Sequence, residues 1–239
     1  MTSRTAALLV DAHVHSTFSD GRDAPETNVA VAEERGLRSI SIVDHVRRDT
    51  DWVGDFVRTI RAIDRRSPLD VRCGVEAKLL DTAGGLDLPA SLVGIDHILV
   101  ADHQVPLEDG LHAPAAVRRR LEQGDIAPSL VIDHLVEATA AAAERHDGVV
   151  IAHLFSALPK CGLSELDVDD ARVEALAARL AHAGATVEIS ERWSCPSLRV
   201  ARILSRAGVP LVASTDSHRS ATIGTYSFVA EILGPATKD

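Results

Sequence analysis

Cysteine is scarce and poorly placed for cross-linking: Cys73, Cys161 and Cys195 are odd in number and far apart. They form neither a disulfide framework nor the paired spacing of a zinc module, and a reducing cytoplasm is the expected home. Basic charge is also short. Lysine and arginine total 25 against 35 acids, a formal net charge of −10, which argues against stable nucleic-acid binding, whose electrostatic footprint is basic. A small anionic substrate stays open, because bound metal ions override the local field. No hydrophobic run approaches the ~20 residues of a transmembrane helix, and the apolar part of MTSRTAALLVD is too short for a signal peptide. No membrane partner is therefore expected. Pro/Gly/Ser-rich linkers and low-complexity tracts are missing too. With 239 residues and 46% hydrophobic content, the chain is expected to fold as one domain over 1–239.

What is present is a rhythm. Seven Val/Ile/Leu-rich runs recur at 6–13, 38–45, 70–77, 94–103, 148–153, 185–190 and 209–218, as strands buried on both faces should read. Helical patterns separate them at 25–36, 51–66, 128–147, 168–183 and 196–207. Val173, Leu176, Ala177 and Leu180 repeat at helical spacing, with acids before that segment and Gly184 just after it, as capping favours. Alternating β and α units predict a parallel sheet or barrel. Residues 104–127 carry Pro106, Gly110, Pro114 and Gly124. They read as a long loop or partly helical insertion, which in a compact domain is usually functional.

The ends of the runs carry the chemistry. His13, His15 and then Asp20 follow the first, and His45 closes the second. Glu76 lies near the end of the third, His103 closes the fourth and His153 the fifth. Glu188 lies within the sixth, and Asp216 and His218 end the seventh. Catalytic residues of parallel α/β barrels gather at that edge. Side chains two apart on a strand point the same way, so His13 and His15 can face one centre, as can Asp216 and His218. Burying imidazole and carboxylate is costly unless they are paired or metal-bound. Repeating it in six separate β-units without a function is improbable. His97, His112, His134, His146 and His182 fall within a strand, in a loop or on helices, and are expected to be packing or surface residues.

These residues carry a family resemblance. HVH at 13–15 with Asp20, DH at 44–45, GVE at 74–76, the Asp96 to His103 spacing, AH at 152–153 and DSH at 216–218 together resemble the polymerase and histidinol phosphatase (PHP) family, from Asp11 to about Gly224. The resemblance implies a distorted seven-stranded (βα)7 TIM-like barrel and a trinuclear site. His13, His15 and Asp216 would hold one metal, with Glu76 bridging to a second completed by His103 and His153. Asp20, His45 and His218 would hold the third. Imidazole and carboxylate ligands suit manganese, iron or zinc.

Three divalent ions against three ligand carboxylates would make a cationic pocket that draws a phosphate dianion. The expected reaction is hydrolysis of a small phosphomonoester by a metal-bound hydroxide, histidinol-phosphatase-like, and no side chain stands out as general acid. Arg192, Lys160 and Arg219 are the candidate phosphate contacts. Lys160 lies in HLFSALPKCG and Arg192 follows VEISE, both similar in spacing to the histidinol phosphatase branch, while Arg219 follows the DSH. The chain departs from that branch at His153–Leu154, where the family has HP, and in lacking an asparagine after the sixth-strand acid. A nucleotide phosphoesterase or 3′–5′ exonuclease of the same family therefore stays open. So do an amidohydrolase-type C–N hydrolase, which also opens with HxH, and a metal-binding structural module.

Overall fold

A computed structural model describes residues 6–234. Seven parallel strands follow the order β1 (Val10–Val14), β2 (Ser39–His45), β3 (Asp70–Lys78), β4 (His97–Ala101), β7 (Val150–Ile151), β8 (Thr186–Ser190) and β9 (Leu211–Ser214). The ring nearly closes. Val14 bridges to Ser217 in parallel, and His15 N–H donates to Ser217 O at 2.8 Å. The seven runs thus become a (βα)7-type barrel. Some strands are shorter than the apolar runs: β1 starts only at Val10, after a helical turn, and β7 has two residues.

Helices cover the outside: α1 (Pro25–Glu34), α2 (Val53–Asp64), α3 (Pro114–Gln123), α4 (Pro128–Arg145), α5 (Ala157–Lys160), α6 (Asp170–His182), α7 (Leu198–Arg206) and α8 (Phe228–Leu233). In α2, Phe56, Ile60 and Ile63 repeat at helical spacing and pack on the outward Ile40, Ile42, Val71 and Cys73. Each such burial contributes ~1.5–3 kcal/mol. Residues 104–127 hold α3 and a hairpin, β5 (Val105–Leu107) with β6 (Gly110–His112), which the composition of that segment does not announce as strand.

Val43, Leu99, Ala101 and Ala152 form one small buried cluster. A Cβ on Gly74 would lie 2.7 Å from His97 Nε2 and 3.0 Å from Val43, so glycine makes room for the His97 ring. Burial pushes His97 down to about 4, and it fills space as a neutral ring. The other strand-end histidines stand at or just after the strands' C-terminal ends, where a cleft opens.

Candidate metal centre

Register brings the donors together. His45 pairs with Glu76 across β2–β3, and β1 meets the segment after β9 at the seam. Glu76 is buried, and its two oxygens are the hub. Oε1 lies 2.9 Å from His153 Nε2 and 3.1 Å from His103 Nε2. Oε2 lies 2.9 Å from His45 Nδ1, 3.3 Å from His13 Nε2 and 3.4 Å from His15 Nε2. Asp216 Oδ1 stands 3.2 Å from His15 Nε2 and 3.4 Å from His218 Nδ1. Asp20, on the loop after β1, lies 3.3 Å from His218, 3.6 Å from His45 and 3.7 Å from His15. All nine donors expected from the sequence converge, and the five other histidines stay out of the donor sets found among the described residues.

Three sets of donor atoms each lie within 4.8 Å of one another: His13, His15, Asp216; His15, Asp20, His45, His218; and His45, Glu76, His103. The grouping is more shared than the resemblance implied. His45 turns one nitrogen to Glu76 and the other to Asp20, and so stands between two sets. His153 joins through the Glu76 oxygen that it shares with His103.

These residues fit divalent cations. His13 Nε2 and His15 Nε2 face each other at 2.9 Å, close enough to share a proton in the ion-free protein or to serve one cation together. His15 Nδ1, Glu76 Oε2 and Asp216 Oδ1 are buried and lack any hydrogen bond of good geometry, and orphaned buried polar atoms are costly. Electrostatics agree. Burial alone would lower His13, but Glu188, Glu76 and Asp216 reverse this and hold it well above its ordinary value. Burial likewise opposes His153, yet Asp102 and Glu76 raise it to about 10. Burial drags His15 down to about 4, against Asp216 and with the help of His13. Against its burial, Glu76 is held far below the carboxylate range by His13 and the imidazoles on its oxygens. The pocket thus demands positive charge.

Buried acids that the sequence reading passed over position the donors. Asp11 on β1 accepts from Thr215 N (2.9 Å), Thr215 Oγ1 (2.6 Å) and Gly224 N (2.9 Å), fixing the turn that carries Asp216. Burial raises Asp11 to about 6 despite these bonds. Asp44 on β2 accepts from Ser16 N and Oγ and from Ser19 N and Oγ, fixing the turn between His15 and Asp20. Asp102, after β4, accepts from Ser156 Oγ (2.6 Å) and Ala157 N (3.1 Å), fixing the turn after His153. In each case an acid on one strand pins the turn of a neighbouring strand. The available signal was an acid one or two places before a strand-end histidine: DAH at 11–13, DH at 44–45 and DH at 102–103. Glu188 Oε2 lies 3.0 Å from His13 Nδ1, which turns the other ring nitrogen toward the cluster, as a carboxylate behind an imidazole commonly does at metal sites.

The centre opens on a cleft of about 830 Å³ whose lining includes Glu76, His103, Arg192, Trp193, Phe18 and Trp52. Arg192 Nη1 stands 2.8 Å from His218 Nδ1 and donates to Asp216 O at 3.4 Å. Trp193 Nε1 donates to Asp216 Oδ2 at 2.6 Å. Lys160 Nζ sits 3.9 Å from the centroid of the Trp193 ring and does not line the cleft. Arg219 opens on a separate, adjoining cavity.

The family described as PHP domain matches residues 11–112. No curated protein matches the chain. Among solved structures, a candidate histidinol phosphatase from Listeria monocytogenes shares the fold at TM-score 0.63 and 14% identity, over 90% of this chain and 97% of its own. A two-domain protein from Bacteroides vulgatus, described as containing a predicted PHP-like metal-dependent phosphoesterase, aligns over 89% of this chain and 52% of its own, at 15% identity and TM-score 0.46.

Proposed function

From the premise that this is a PHP-type chain, matched over residues 11–112, we propose that it is a metal-dependent phosphoesterase that hydrolyses a small phosphomonoester, in the manner of a histidinol phosphatase. One observation carries the reading: the Glu76 carboxylate lies within 3.4 Å of five imidazoles, with Asp216 and Asp20 closing the ring of donors. A donor set of this kind suits manganese, iron or zinc. Its extent, eight residues in three overlapping sets with His153 joined through Glu76, supports three ions. An amidohydrolase reading gives Asp20, His45 and His218 no task, whereas here they share a set with His15.

Divalent ions bound there supply Lewis acidity and water of lowered pKa. The chain's own residues do the rest. His13, His15 and Asp216 form the deep wall of the site. Glu76 ties that wall to His103 and His153. Asp20, His45 and His218 stand at the mouth, where Asp20 is exposed and the two rings are partly so. Arg192 reaches across this mouth, and its guanidinium is placed to meet charge on the phosphoryl oxygens. Trp193 holds Asp216 Oδ2 and so fixes which oxygen of that carboxylate faces the donors. Lys160 Nζ lies over the Trp193 ring and does not line the cleft. Phe18 and Trp52 offer an apolar wall to the organic half of the ester.

The test is phosphate release by manganese-reconstituted protein from histidinol phosphate, beside nucleotides and sugar phosphates. Release from at least one ester, with preference for histidinol phosphate, is expected. Glu76→Gln should abolish it and lower metal content. Wild-type turnover by that variant, or amide cleavage without phosphatase activity, would overturn the reading.

A further inference from the structure

A second cavity, of about 520 Å³, adjoins the mouth of the centre and is lined by Asp20, Arg22, Arg192, His218, Arg219 and Thr222. Asp20, Arg192 and His218 line both cavities, while Glu76 and His103 face only the first and Arg22 and Arg219 only the second. The two spaces therefore meet at the rim of the donor cluster and run away from it in different directions. The second is built from arginine in a chain of net charge −10.

The backbone holds these arginines in place. Arg22 N–H donates to His218 O at 2.9 Å, joining the loop after β1 to the segment after β9. Asp23 Oδ2 accepts from Ser220 N at 2.7 Å, tying the same loops one step further out. Arg22 and Arg219 thus rise from two strands of chain stitched together on both sides. Neither guanidinium has a hydrogen-bond or ion-pair partner among the described residues. The nearby acids are engaged elsewhere: Asp20 turns to His15, His45 and His218, and Asp23 caps Ser220. Away from the site, Arg61, Arg172, Arg179 and Arg199 all pair with carboxylates. The one acid lining the space, Asp20, is already turned to three imidazoles, so the two unpaired guanidinium groups beside it match an anion that can accept fork-like bonds.

We propose that Arg22 and Arg219 form a second anion subsite, so that the substrate carries a further phosphate or carboxylate besides the phosphoryl group that is cleaved. The inference rests on the phosphoesterase reading for the identity of the first group. It assigns Arg192, at the junction, to the reacting phosphoryl group, and Arg219 to the other end of the molecule. The second group adds affinity as a tethered contact whose gain depends on the span between the two charges.

The experiment is calorimetric titration of the manganese-loaded protein with non-hydrolysable alkanephosphonates and with the matching alkane bisphosphonates, from propane to hexane. At one chain length or more, the bisphosphonate should bind at least about tenfold tighter than its monophosphonate, beyond the ~twofold statistical gain of two equivalent ends. In the Arg22→Ala/Arg219→Ala double variant that ratio should fall to about two. A ratio of about two at every length in the wild type, or an undiminished ratio in the double variant, overturns the proposal. Phosphate release from monoesters by the same preparation is scored separately. Preference without release sinks the phosphoesterase reading and keeps the subsite; release without preference does the opposite.

Discussion

Loading the cluster with a divalent ion at pH 7 must displace protons, and His153 shows how many and at what cost. Its ring is buried, with Nε2 2.9 Å from Glu76 Oε1 and Nδ1 3.5 Å from Asp102 Oδ1. Against the desolvation of burial, these acids hold its pKa up at about 10 in the protein stripped of ions. A metal ligand must be neutral imidazole. Removing this one proton at pH 7 costs on the order of 4 kcal/mol, so each unit of pH below 10 lowers apparent metal affinity about tenfold. His13, also raised, adds a second proton in the same direction. His15, lowered to about 4, is already neutral and adds none. Calorimetric titration with manganese in two buffers of different ionisation enthalpy reads this directly. At least one proton should leave per protein at pH 7, and affinity should climb steadily from pH 6.5 to 8.5. A binding enthalpy independent of the buffer, with affinity flat over that range, would refute the electrostatic account of the centre.

The same shifts fix how the stripped protein responds to pH. A histidine raised in the fold stabilises fully below its ordinary 6.5 and loses that contribution as pH rises through the folded value. Urea unfolding in chelator should therefore weaken between pH 6.5 and about 10, on the order of 5 kcal/mol from His153 alone, whereas the metal-loaded protein should show no such fall. Stability that holds level in chelator across that window would contradict the assignment. Glu188→Gln keeps the shape beside His13 Nδ1 but removes the charge, and should weaken metal binding on the order of 10–100-fold in competition with a chelator dye. Arg192→Ala should raise KM for the phosphoester about tenfold with a smaller change in kcat; an unchanged KM would remove this arginine from the phosphate site.

The candidate donor cluster was legible because most of its members stand at or near the end of an apolar run. The run marks the strand, and the strand's end marks the side of the barrel. HVH at 13–15 shows this best: alternation alone puts both rings on one face. The positioning acids were harder to see, because Asp11, Asp44 and Asp102 act on a neighbouring strand's turn, and cross-strand neighbours follow from barrel order, which composition does not encode. Asp102 serves a turn some 50 residues later in the chain. The β5–β6 hairpin was hidden for another reason. Its strands are three residues each and one contains Pro106, so no alternating pattern develops, although Asp109-Gly110 is a turn signal. Trp193 carries no pattern in sequence, and only the fold brings its indole N–H to Asp216.

Two of the donors stand on unusual backbone. His153 has φ 63° and Asp216 φ 50°, two of four non-glycine residues with positive φ among those described. Such conformations cost ~1–3 kcal/mol each and persist only where surroundings over-determine them. Here the determinants are visible. Asp102 accepts from Ser156 and Ala157 just after His153, and Asp11 accepts twice from Thr215 just before Asp216. The bent backbone aims His153 at Glu76 Oε1 and Asp216 Oδ1 at His15. Buried acids outside the cluster thus hold strained turns, and the strained turns hold donors. The protons that His13 and His153 retain in the stripped protein supply the positive charge that Glu76, Glu188 and Asp216 require. An ion entering this site exchanges charge for charge in donors already aimed, so its binding rearranges protons more than it rearranges chain.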